Sequence, residues 1–258
     1  MSDDPSIFSL DGRRALLTGS GQGIGLRLAR GLAAAGASVV LNDIDAARLE
    51  GAVAGLRAEG ISAEGILFDV SRPDEVGPAI TKVEEKGGPI DILFNNAGIH
   101  RYAALADMKL SQWQEVLDVN LTGAFVVAQA VARRMIARAS GGKIVNICSL
   151  MSEAARPTTG NYTAAKGGLK LLTKAMAVEW GRHGIQANGI GPGYILSELT
   201  KHLADQPEFD AWVRGRTPAG RWGTPDDLVG AAVFLSAPAS DFINGHILYV
   251  DGGFLAGL

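Results

Sequence analysis

Residues 18–25 read TGSGQGIG, four glycines in eight positions. The usual dinucleotide fingerprint, G-x-G-x-x-G, does not fit them. Counted from Gly19 the sixth position is Ile24, and counted from Gly21 it is Leu26. The surroundings are more telling. An apolar run, Ala15-Leu16-Leu17, precedes the stretch, and residues 23–35 follow with helical patterning that ends at Gly36. In a strand–loop–helix of this kind the helix N-terminus presents free N–H groups and the positive end of its dipole to a phosphate. Gly19 permits a tight turn, and Gly23 and Gly25 lack the Cβ that would keep a ligand or a neighbouring strand away. With Gln22 and Ile24 between them, these residues are predicted to hold a nucleotide. The alternative is a turn with surplus glycines.

The same alternation continues along the chain. Short apolar runs at 39–41, 66–68, 92–94, 144–147, 185–190 and 247–250 are predicted strands. Helical patterns at 46–58, from Pro73, at 111–138 with Ser111 as N-cap, at 160–180 and at 225–236 separate them. Strands that alternate with helices pair in parallel through right-handed crossovers. The expected fold is therefore α/β: a single doubly wound (Rossmann) domain over residues 1–258, with a seven-stranded parallel sheet and helices on both faces. Residues 194–223 are the least regular and are expected to form a substrate lid.

Composition narrows the function classes. Of 258 residues, 47% are hydrophobic and 20% charged, with a net charge of −3, a soluble globular balance. No basic run suggests a nucleic-acid partner. The opening MSDDPSIFSLDG lacks the pattern of a signal peptide, and the apolar runs read as too short to span a membrane. With Cys148 as the sole cysteine, a reducing compartment, by default the cytoplasm, is expected. The four histidines are scattered without metal-ligand spacing, so no metal is expected.

Asp43 ends the second predicted strand. An acid there suits the adenosine ribose hydroxyls and repels a 2′-phosphate. With no cation at residues 20–22 or directly after Asp43, NAD is favoured, with NADP as the alternative. Further along, Tyr162 and Lys166 are four apart on a predicted helix and share a face, and Ser149 ends the strand before it. All three fall at the carboxyl ends of strands, where doubly wound folds bind ligands. Oxidising an alcohol needs a base, and a free phenol at about 10 is a poor one. A lysine ammonium and a positive nicotinamide ring would draw it down. Three units would correspond to about 4 kcal/mol. Ser149 would bond the substrate oxygen.

From about Leu10 to Gly253 the chain resembles the classical short-chain dehydrogenases/reductases. The family spaces its glycines T-G-x-x-x-G-x-G, as Thr18 to Gly25 do. Further matches are Asp69-Val70, the run Asn95-Asn96-Ala97-Gly98, Asn120, and Gly191-Pro192-Gly193. The resemblance implies that Tyr162 is the general acid/base and that Lys166 lowers its pKa and binds the nicotinamide ribose. It implies that Ser149 positions the substrate and that Asn120 holds a water linking Lys166 to solvent. Asp69 and Val70 would lie by the adenine, and Asn96, Ala97, Gly98, Pro192 and Gly193 would complete the cofactor site. The stretches NICSLMSE, AAKGGLKLLTK, NGIGPGYI, RTPAGRWG and NGHILYVDGG resemble members that interconvert gluconate and 5-ketogluconate. A sugar acid would bring a carboxylate, for which Arg101 is the first candidate partner and Arg156 the second. His100, Glu153 and Tyr194 are candidates for its hydroxyls. Cys148, beside Ser149 on a strand, is read as packing. Alternatives are a polyol dehydrogenase, a 3-oxoacyl-carrier-protein reductase, or a silent nucleotide-sensing scaffold. The family resemblance implies a homotetramer.

Overall fold

The computed structural model describes residues 5–198 and 200–257. After a 3-10 turn at Pro5–Phe8, the elements run β1 (Arg14–Leu17), α1 (Gly23–Ala34), β2 (Ser38–Asp43), α2 (Ala46–Ala58), β3 (Ala63–Leu67), α3 (Pro73–Gly87) and β4 (Ile92–Asn95). Then come α4 (Leu110–Leu117), a π-helical turn (Asp118–Gly123), α5 (Ala124–Ala137), β5 (Gly142–Ile147), α6 (Gly160–Trp180) and β6 (Ile185–Pro192). The short helices α7 (Lys201–Ala204) and α8 (Pro207–Arg216) precede α9 (Val229–Ser236) and β7 (Ile247–Val250).

All pairings in the sheet are parallel, in the order β3-β2-β1-β4-β5-β6-β7. The direction of winding reverses between β1 and β4, so the loops after these two strands diverge and open a crevice. β1 is buried along its whole length, as a strand covered on both faces must be. On one face, Leu28 and Leu32 of α1, Leu49 and Leu56 of α2 and Leu235 of α9 form the core. On the other, Val76 and Val83 of α3, Val127 and Val131 of α5 and Met176 of α6 do so. The helical period explains this: Gly25, Leu28, Ala29 and Leu32 recur on one side of α1 and are all buried.

Three expectations need correction. The third strand begins three residues before the apolar run at 66–68 and ends one residue before it does. As the edge strand it buries side chains unevenly, so apolarity is a poor guide to its ends. The long helix predicted at 111–138 is two helices joined by the π turn, and Lys109 rather than Ser111 is its N-cap, with its N–H donated to Gln112 Oε1 at 3.1 Å. Taken together, Leu110–Ala137 is long and apolar enough to cross a membrane by length and composition, contrary to the reading that every apolar run is too short. Its apolar side packs against α3, α6 and β4 instead.

One buried cation fastens the crevice-distal end of the sheet. Arg14 donates to the carbonyls of Val83 (3.0 Å) and Gly88 (2.6 Å) and pairs with Glu64 at 3.0 Å. Arg14→Leu would leave these acceptors without a donor, and is expected to lower stability by about 2–4 kcal/mol in urea unfolding. A loss under about 0.5 kcal/mol would show that water replaces the guanidinium at no cost.

Candidate active site

The crevice holds two adjoining cavities, of about 300 and 160 Å³, that share Ile24, Asn96, Gly98 and Ser197 in their walls. The larger is built on the glycine loop. Gly19, Gln22, Gly23, Ile24 and Gly25 line it, with Asp43, Asp69, Val70, Asn96, Ala97 and Gly98. Gly19 has φ +58, and a Cβ there would stand 2.7 Å from the Cα of Ala97. The two loops are joined by hydrogen bonds across this approach. Thr18 Oγ1 accepts from the N–H groups of Asn96 (3.0 Å) and Ala97 (3.1 Å), and Asn96 Nδ2 donates to the carbonyls of Thr18 (2.9 Å) and Gly19 (2.8 Å).

These residues fit a dinucleotide. No side chain caps the N-terminus of α1 at Gln22, so its first N–H groups face the cavity free, as a pyrophosphate requires. Gly23, at φ +57, has nothing within 4 Å of where a Cβ would be, which leaves the cradle open. At the far end, Asp43 is buried and accepts from the N–H groups of Gly21 and Asp45, both at 3.1 Å. It also pairs with Arg48 at 2.6 Å. Burial pushes its carboxyl up, but the bonds to Arg48 and to the backbone outweigh this and hold it below the usual carboxylate range. Arg48 was missed by sequence reading, which looked for a cation only next to Asp43. The available signal was Asp45: as N-cap it accepts from the N–H of Arg48, placing Arg48 in the first turn of α2, where a long side chain reaches back toward the strand end.

The smaller cavity brings together Ser149, Tyr162 and Lys166, with Arg156, Tyr194, Pro192 and Gly193. Tyr162 and Lys166 lie on one face of α6, with Nζ 5.6 Å from the phenol ring centre. Ser149 Oγ accepts from the N–H of Met151 at 3.1 Å, leaving its own proton free, and its hydroxyl acts to lower the Tyr162 phenol against the larger effect of burial. Lys166 Nζ donates to the carbonyl of Ile147 at 2.6 Å. Burial pushes the Tyr162 phenol up to about 12 and the Lys166 ammonium down to about 8. The depression expected for Tyr162 is thus not present in the protein alone, because both groups are dehydrated and the lysine charge is spent partly on Ile147. Burial also pushes the Cys148 thiol up to about 11, in keeping with a packing residue.

Asn120 lines neither cavity. It sits on the π turn, an element often found at functional sites. Its amide clamps the loop after β4 from below: Nδ2 donates to the Ile99 carbonyl and Oδ1 accepts from the Ile99 N–H, both at 2.8 Å.

Two substrate candidates are displaced. Arg101 turns away from the cavity and makes a two-point pair with Glu115, Nε to Oε2 at 2.9 Å and Nη2 to Oε1 at 2.5 Å. Glu153 also lies outside it, bonded to Lys170 at 2.5 Å and to the Tyr249 hydroxyl at 2.7 Å. Their place in sequence, close to a site loop, gave no information on side-chain direction. Arg156 does face the cavity. Its guanidinium lies 4.9 Å from the Phe209 ring centre and 5.8 Å from that of Tyr102, and among the described residues no carboxylate is paired with it. His100, stacked on Tyr102 at 3.7 Å, is held neutral by burial and by Arg156, its pKa lowered to about 4. Its buried Nδ1 has no hydrogen-bond partner. Tyr102, Thr200 and Leu203 complete the wall and escaped the sequence reading. Tyr194 is fixed by rings of Phe209, Trp212, Trp222 and Phe254, all 5.4–5.7 Å away.

Comparison with known proteins finds relatives that match nearly the whole chain. The family described as enoyl-(acyl carrier protein) reductase matches residues 19–255. The chain is 53% identical to gluconate 5-dehydrogenase of Gluconobacter oxydans, over 98% of this chain and 99% of that one. It is 51% identical to 5-keto-D-gluconate 5-reductase of Escherichia coli, over 96% and 98%. A solved gluconate 5-dehydrogenase from Burkholderia cenocepacia, in complex with NADP and tartrate, superposes with a TM-score of 0.96 at 52% identity, covering 98% of this chain and 99% of that one.

A phenol raised by burial stays protonated at every pH well below its midpoint. Near-ultraviolet titration of the cofactor-free protein should therefore show no difference from Tyr162→Phe until the pH approaches about 12. An extra phenolate appearing near neutrality in the native protein would contradict this.

Proposed function

The chain belongs to the short-chain dehydrogenase/reductase family, and on that premise we propose that it interconverts gluconate and 5-ketogluconate with a nicotinamide dinucleotide. The observation that carries the reading is the convergence of Ser149, Tyr162 and Lys166 with an unpaired Arg156 in one small cavity that opens onto the glycine loop. The relatives named above act on this acid, and one of them was solved with NADP and tartrate, itself a hydroxy acid.

A bound nicotinamide dinucleotide supplies the hydride acceptor for oxidation and the hydride donor for reduction. The chain's own residues handle the proton and the orientation. In reduction, Tyr162 gives its phenolic proton to the oxygen that forms the C5 hydroxyl. In oxidation it takes that proton back, which requires positive charge beside a phenol that burial has raised. Ser149 donates its free proton to the same oxygen and holds it against Tyr162. Lys166 supplies positive charge and binds the cofactor ribose. Asn120 acts as a positioning residue: it fixes Ile99, and with it the loop that forms the common wall of both cavities. Arg156, backed by aromatic rings, binds the carboxylate through its planar fork. His100, kept neutral, lines the wall without adding a charge beside the substrate. Such a wall suits a short polyhydroxy acid better than an acyl thioester. Residues 194–223, which carry α7 and α8 over the cavity, serve as the lid. The exposed Leu171 and Val178 of α6 support self-association, which we read as a homotetramer, and a cytoplasmic location fits the reading.

Two measurements test the proposal. Tyr162→Phe is expected to lower kcat by roughly 10²–10⁴-fold, with NADPH binding, followed by fluorescence, unchanged within about threefold. Full activity in that variant would remove Tyr162 from the mechanism. Arg156→Leu is expected to raise KM for 5-ketogluconate by about 10–100-fold with kcat changed less than about threefold, while Arg101→Leu leaves both within about twofold. The reverse pattern would return the carboxylate to Arg101.

A further inference from the structure

Ser149 stands two residues beyond the end of β5. The sheet still holds its neighbour, Cys148, whose N–H donates to the Ile190 carbonyl at 2.7 Å. Both backbone groups of Ser149 turn instead to Ser152. The Ser149 N–H donates to Ser152 Oγ at 3.3 Å, and the Ser149 carbonyl accepts from the Ser152 N–H at 3.0 Å. Ser152 also reaches across to α6, where its hydroxyl donates to the Lys166 carbonyl at 2.9 Å. A carbonyl has two lone pairs, so Lys166 can accept this bond without leaving the helix. From its other end Lys166 donates through Nζ to the Ile147 carbonyl at 2.6 Å. A ring of contacts thus runs from Ile147 through Ser149, Ser152 and Lys166 back to Ile147. It ties the end of β5 to the helix that carries Tyr162. An alanine at 152 would remove both side-chain bonds of the link and little else.

We propose that Ser152 is a positioning residue for the reaction: by bridging Ser149 to α6 it sets the spacing between the Ser149 and Tyr162 hydroxyls, which must meet the same substrate oxygen. The inference rests on the dehydrogenase reading above and adds to it the residue that holds those two hydroxyls in register. Tyr162 belongs to a helix of 21 residues, whereas Ser149 opens a 3-10 turn of only three, Leu150–Ser152. The turn is therefore the part that can shift, and Ser152 is its anchor. Orientation of this kind contributes to rate rather than to binding, and a displacement of about 1 Å can cost about 10²-fold.

The test is single-turnover reduction of 5-ketogluconate by NADPH, which separates the chemical step from product release, with NADPH affinity followed by fluorescence. Ser152→Ala is expected to lower the rate by about tenfold or more. NADPH affinity and the half-saturating concentration of 5-ketogluconate should change by less than about threefold. Ser152→Thr keeps the hydroxyl and should stay within about threefold of the native rate. The decisive comparison is made in Ser149→Ala, itself slowed by about 10²-fold or more. Adding Ser152→Ala there should cost less than about twofold, because a residue that acts through Ser149 has nothing left to position. A merely structural loss would multiply with the first. If Ser152→Ala misfolds and loses NADPH binding, Ser152→Cys takes its place, since a thiol is only a weak donor and acceptor. A native rate in the folded Ser152 variant, or losses that multiply in the double variant, overturns the proposal while leaving the dehydrogenase reading in place. Absence of turnover in the native protein overturns both.

Discussion

Everything in the crevice depends on the clamp between the loops after β1 and β4. Parallel strands on either side of the reversal send their loops apart, and an open gap there would hold neither nucleotide nor substrate in register. Thr18 and Asn96 close it with side chain-to-backbone bonds in both directions. Ala97 comes near enough to Gly19 that only glycine fits beneath it. The clamp thereby fixes Gly98, Ile99 and His100, which Asn120 holds from the opposite side. Loop positions set by bonds from two sides are what a rigid, preorganised site requires.

The second organising feature is dehydration. Lys166 is buried and Tyr162 half-buried, and desolvation pushes both toward their neutral forms. Such a site resists charge until charge is brought into it. That makes the phenol a good proton donor in the protein alone and ties its service as a base to added positive charge. The same logic operates on His100, which burial and Arg156 keep neutral. Arg156 is the exception. Its charge is always present, and the faces of Tyr102 and Phe209 compensate for lost water.

Much of this was legible in the sequence, for a physical reason. Core strands such as β1 and β5 are buried on both faces, so they appear as apolar runs. The helices declare themselves by period, as α1 does. Residues that must meet at fixed helical spacing, Tyr162 and Lys166, can be paired without coordinates. What was not legible depends on direction rather than position. Arg101 and Arg156 both follow a strand end closely, and nothing in their letters shows that one turns out to Glu115 and the other in to the cavity. The edge strand β3 lacks the apolar signature, because half of its side chains meet water. The π turn, Asp118–Gly123, lies between two helices without a Gly-Pro break or a capping residue to mark the change of winding. Asn120 lies within it and bonds both backbone groups of Ile99.

Asp43 shows why a motif residue cannot be read alone. Taken as a letter at a strand end, it is an anion facing the adenosine pocket. Taken with its neighbours, it is the fixed half of an ion pair whose other half comes from the next helix. The electrostatic character of the pocket follows from the pair: a carboxylate with three donors and a guanidinium with an idle, buried N–H. An unpaired buried donor carries a desolvation penalty of about 1–3 kcal/mol in the folded protein. The charge that this end of the crevice presents is therefore that of the pair and not of the carboxylate alone.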